Sequence, residues 1–156
     1  MTMGKPHHNH FLTEDNRLIA KLEFQDGQMG FVGISGMLWA IDPNGMCHGA
    51  RFINETASPP HREGQLDQQD LVTLANILSD QNFADLPAEI PSEQTLNPHR
   101  LTIRLGDKSS TLVLQTGQTI EDAVTALRNR HETPRSRFLT ISQMIDRLVR
   151  QHCGDD

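Results

Sequence analysis

Tyrosine is missing from the 156 residues, tryptophan occurs once, and aromatics make up 4% of the chain. A platform that stacks unpaired bases needs several rings beside cations, so this scarcity argues against single-stranded nucleic acid as a partner. Positive charge is in deficit too: 14 Lys and Arg stand against 20 Asp and Glu, a formal charge of −6. Such a chain has no general attraction for nucleic acid or anionic lipid. No apolar run approaches the roughly 18 residues of a membrane helix. The opening MTMGKPHHNHFLTEDN lacks the apolar segment of a secretory signal. Cys47 and Cys153 are the only cysteines and lie far apart, the second near an end expected to be loose. That argues against a disulfide framework and makes a reducing cytoplasm the expected setting.

What is present falls into compact runs. Residues 1–16 are polar and His-rich and read as a flexible leader, 17–130 as the core domain, and 131–156 as a linker with an amphipathic helix. Residues 17–24 alternate, with Leu18, Ala20, Leu22 and Phe24 on one face, which predicts a half-buried strand. Asp26-Gly27 then suits a tight hairpin turn. Residues 29–34, 37–41 and 46–53 follow as strand material, the last two segments joined by the turn Asp42-Pro43-Asn44-Gly45. Residues 54–64, with Pro59-Pro60 among them, read as a loop. Asp67 caps a helix that stops near Asp80, with Leu71, Leu74, Ala75 and Leu78 at helical spacing. Phe83 and Leu86 are expected to tuck under its end. Residues 101–105 and 111–115 predict a second hairpin. Thr119 opens a helix over 120–129, with Asp122 at the capping-box position, and a final helix spans about 140–151. Hairpins interrupted by helices, without βαβ alternation, predict a single α+β domain: an antiparallel β-sheet packed against two or three helices.

Residues 27–36, GQMGFVGISG, place glycine at every third position. A dinucleotide fingerprint needs G-x-G-x-x-G between a strand and a helix, whereas here strand-like MLWAI follows. No Gly-Lys-Ser/Thr phosphate loop occurs, and a collagen helix requires many more triplets. Glycine then serves to bend a strand or to admit a neighbouring backbone. Such a segment suits an edge or loop that docks another chain. Gly27, Gly30, Phe31, Gly33, Ile34 and Gly36 are therefore the candidate partner-binding residues.

Other clusters fall short of chemistry. His7, His8 and His10 lack a carboxylate or cysteine at fixed spacing, so no specific metal site is expected. His131-Glu132 begins like H-E-x-x-H, but Arg135 stands where the second histidine belongs and Pro134 breaks the required helix. His61-Arg62-Glu63 sits in the loop without a scaffold to converge it. Cys47 and His48 are strand neighbours and point to opposite faces; neither Cys47 nor Cys153 is assigned as a nucleophile. Arg128, Arg130, Arg135 and Arg137, with Arg147 and Arg150 beyond, would grip an anion or complement helix dipoles. Ile141, Met144, Ile145, Leu148 and Val149 form an apolar stripe suited to a core, with an oligomer contact as the alternative. No catalytic residue, metal or cofactor is expected.

Three stretches carry a family pattern: GFVGI at 30–34, QLDQQDLVTLANILSDQNFADLPAEIP, and RLTIRLGDKSSTLVLQTG. Over residues 21–127 they resemble emfourin-like proteins, small inhibitors of protealysin and related thermolysin-type metalloproteases. The shared features are an early glycine-bearing segment, a helix with a Phe-x-x-Leu-Pro exit, and a later hairpin. The chain departs from that pattern in its leader, around residues 37–53, and from His131 onward. The resemblance implies a non-catalytic protein-binding domain whose partner is a metalloprotease. Two alternatives stand beside it: a protein that self-associates through its terminal helix, and a small metal-dependent hydrolase using His48, His61 or His99.

Overall fold

The computed structural model describes residues 9–127 and 133–154. Seven strands form one sheet with antiparallel ladders: β1 (Leu22–Gly30), β2 (Gly33–Ile41), β3 (Met46–Ile53), β4 (Thr56–Ala57), β5 (Arg62–Gln65), β6 (His99–Leu105) and β7 (Lys108–Leu114). Their order is β4-β3-β2-β1-β6-β7, and β5 pairs with the first half of β3. Three helices complete the single α+β domain: α1 (Gln68–Asp80), α2 (Ile120–Leu127) and α3 (Pro134–His152).

Register separates the two faces. Leu22 lies between Ile41 and Leu105, and Phe24 between Trp39 and Ile103. These residues are buried in one core with Leu71, Leu74 and Leu78 of α1, Ala123 of α2, and Ile141, Ile145 and Val149 of α3. The alternate positions, Glu23 beside Ala40 and Arg104 and Gln25 beside Leu38 and Thr102, point away from that core. One face is thus covered by helices and the other is open.

Local chemistry sets the helix starts. Asp67 and Asp70 form a reciprocal capping box at α1. Thr119 and Asp122 do the same before α2, each side chain accepting from the other's backbone amide. Thr133 caps α3 and Pro134 takes the first helical position, where its missing N–H has no cost. That explains why α3 begins well before residue 140. Its stripe is also used internally: Ile141, Ile145, Leu148 and Val149 are all buried in the core, which leaves the proposed oligomer contact without its surface.

Other expectations shift. β1 runs straight through Asp26-Gly27, because β2 and β6 hold it on both sides there; the turn falls instead at Phe31-Val32. The loop at 54–64 contributes β4 and β5 to the edge of β3, with Pro59-Pro60 between them. Phe83 and Leu86 are buried beneath α1 as expected. Cys153 is fully buried, so the end of α3 is packed, and Leu12 of the leader joins the core through a bridge to Leu18. Among the described residues no helix is long and apolar enough to cross a membrane.

Candidate functional site

The triplet glycines lie in the β1–β2 hairpin, and each faces a different constraint. Gly36 stands opposite Gly27, and a Cβ on Gly36 would fall 2.0 Å from the Asp26 carbonyl oxygen. The two backbones approach too closely there for any side chain. Gly27 is crowded from the open face, where a Cβ would meet the Phe52 ring at 2.7 Å and Ile34 at 2.8 Å. Phe52 is buried yet lies outside the main core. Phe52, Ile34 and the glycine floor therefore make an apolar patch on the open face, beside the paired Leu38 and Ala50. Gly30 meets nothing closer than 4.0 Å, so space does not require glycine there.

Gly33 shapes the tip. It takes φ +111°, while Phe31 and Val32 keep negative φ, so a tight turn closes through a glycine that accepts the left-handed region. Asn54, at the end of β3, latches this turn. Its amide N–H donates to the Ile34 carbonyl at 2.7 Å, its Oδ1 accepts from the Ile34 amide at 3.1 Å, and its Nδ2 donates to the Val32 carbonyl at 3.3 Å. A fixed turn therefore presents a fully exposed Phe31 and a largely exposed Val32. Ile34 is half-buried against Gly27 and supports the base.

Of the six sequence candidates, then, only Phe31 offers a large free side chain, and the glycines act by positioning it. Val32 and Asn54 belong to the same tip but carried no glycine signal. Asn54 follows the strand-like residues 46–53, and an asparagine at a strand exit, tolerant of left-handed φ, was the available clue.

The histidines do not gather. His48 sits on the open face within 3.4 Å of Asp42, His61 is exposed in the loop, and His99 opens β6 on the covered face. His99 contacts Asp26 through Nε2 and the Gln118 carbonyl through Nδ1 at 2.6 Å. The Gln118 carbonyl can only accept and the Asp26 carboxylate accepts when ionised, so the protonated ring satisfies both, and in that form it keeps no lone pair for a metal or a substrate proton. Burial by itself would push this imidazole down, but the two acceptors outweigh it and hold its pKa above the usual histidine value. Asp146 of α3, close enough to feel Asp26, is pushed up chiefly by burial against the pull of Arg150. Among the described residues no group of three His, Cys, Asp or Glu is arranged to hold a metal ion. His7, His8, His131, Arg128 and Arg130 lie outside the described residues, whereas Arg135 and Arg137 belong to the first turn of α3.

The open face otherwise carries polar pairs: Glu23 with Arg104 at 3.9 Å, and the hydroxyls of Thr102 and Thr111 at 3.0 Å. No protein-family model matches the chain, and no curated protein matches its sequence.

Proposed function

We propose that the chain is a non-catalytic protein-binding domain that acts through the tip of its β1–β2 hairpin. A rigid, protruding aromatic residue fits a partner with an apolar pocket, and the resemblance to emfourin-like proteins makes the cleft of a thermolysin-type metalloprotease the first candidate. The observation that carries this reading is the latched turn with Phe31 fully exposed. Burying that ring on a partner would contribute about 1.5–3 kcal/mol, with little loss of backbone entropy because the turn is already fixed. α3 packs its apolar stripe into the core on the covered face, and Phe31 at the tip is fully exposed. A cytoplasmic setting is part of the same proposal.

The test is inhibition of a thermolysin-type metalloprotease by the purified chain, with Phe31→Asp beside it. Inhibition at micromolar concentration that falls at least about tenfold in the variant, with folding intact, supports the reading. No slowing of any such protease rules out the inhibitor role. Capture of a protein partner equally well by both forms rules out the tip.

A further inference from the structure

We propose that Cys47 and Cys153 form a reversible redox pair whose disulfide clamps the end of α3 to β3. Cys47 lies directly opposite Gly64 in the β3–β5 ladder. A Cβ on Gly64 would fall 2.8 Å from the Cys153 Cα and 1.7 Å from the His152 carbonyl oxygen. Facing Cβ positions on paired strands lie about 4.5–5.5 Å apart, so the absent side chain of Gly64 is what admits Cys153 beside Cys47. Both cysteines are fully buried and free, and each thiol perturbs the titration of the other. Disulfides bridge Cα separations of about 4.4–6.8 Å, a span within reach of two cysteines that share the space beside Gly64.

The order of attack follows from the surroundings. Burial raises both thiols, Cys47 to about 12; at Cys153 the neighbouring Cys47 and the charge of Arg62 oppose that rise, while the charge of Glu63 adds to it. Cys153, at the C-terminal cap of α3, is uncovered when that turn opens and is the first nucleophile. Its thiolate attacks one sulfur of a small disulfide such as glutathione disulfide, forming a mixed disulfide and releasing one glutathione, which takes up the Cys153 proton. The Cys47 thiolate then attacks Cys153 Sγ, forming the Sγ–Sγ bond and releasing the second glutathione with the Cys47 proton. Two protein thiols lose two electrons and two protons, and glutathione disulfide becomes two thiols. Entry requires the last turn of α3 to open, against the Cys153 amide bond to the Val149 carbonyl and the Arg62 bond to the Gly154 carbonyl, both 2.8 Å.

The full chain, folded, is incubated with glutathione disulfide and followed by intact mass, peptide mapping and melting. The expected product is about 2 Da lighter, holds no glutathione and reverts with dithiothreitol. Its map joins residue 47 to residue 153, and because the bond closes a ring of about 100 residues its melting temperature rises by roughly 5–15 °C. Cys47→Ala is expected to stop at one glutathione on Cys153 with no rise; if that variant does not fold, the wild-type map decides alone. Two thiols still free, a lasting mixed disulfide, a bond between chains, joining only in urea, or an intramolecular bond without a higher melting temperature would each overturn the proposal.

Discussion

The two faces of one sheet are built from the same strands by different means. On the covered face, Leu22, Phe24, Trp39, Ile41, Leu101 and Ile103 meet three helices, and stability comes from apolar area removed from water. On the open face, Glu23, Gln25, Thr102 and Arg104 stay in contact with solvent, and the apolar patch of Phe52 and Ile34 sits on a floor of glycine. Side-chain volume holds the first face together. Its absence shapes the second, where backbones draw close and the hairpin tip is aimed outward.

Several substitutions would break or sharpen that contrast. The largest effect belongs to the covered face: Phe24→Ala is expected to cost about 3–5 kcal/mol, read as a lower urea midpoint. His99→Gln comes next, at about 1.5–3 kcal/mol, because it removes a charged donor from two acceptors. The same group gives a pH signature. Its pKa in the folded chain lies above the 6.5 of a free imidazole, so its stabilising contribution is complete below 6.5 and is lost as pH rises through the raised value. The urea midpoint of the wild type should fall as pH rises from below 6.5 through the raised value, and that slope should flatten in His99→Gln. On the open face, Gly36→Ala is expected to cost about 1–3 kcal/mol although it adds a methyl and removes nothing. Gly30→Ala should cost under about 1 kcal/mol, and a loss as large as that of Gly36→Ala would show that crowding is not what separates the two. Arg104→Ala is the smallest, at or below about 0.5 kcal/mol, since its pair with Glu23 is exposed and long.

Much of the covered face was legible in the sequence because its rules are periodic. The spacing of Leu71, Leu74, Ala75 and Leu78 and the cap at Asp67 place α1 within a residue of its bounds, and Asp42-Pro43-Asn44-Gly45 marks its turn with Gly45 at φ +93°. The candidate site was legible only in outline. Asp26-Gly27 has turn composition, but pairing on both sides overrides a local preference that amounts to about 1 kcal/mol at most. β4 and β5 were invisible because strands of two and four residues carry no usable alternation. The nearness of Cys47 to Cys153 depends on Gly64, a residue whose role exists only once β5 pairs with β3. Likewise, nothing local ties Asn54 to a turn 20 positions earlier; that contact follows from the β2–β3 register.

The position of Asn54 couples two properties that otherwise vary separately. It terminates the strand that carries the sheet's outer margin, and it also immobilises the neighbouring loop apex. Parting β3 and the margin it carries from β2, whether by heat or by an invading strand, would unfasten the apex in the same event. Accessibility of the margin to exchange and stiffness of the apex should therefore report a single equilibrium.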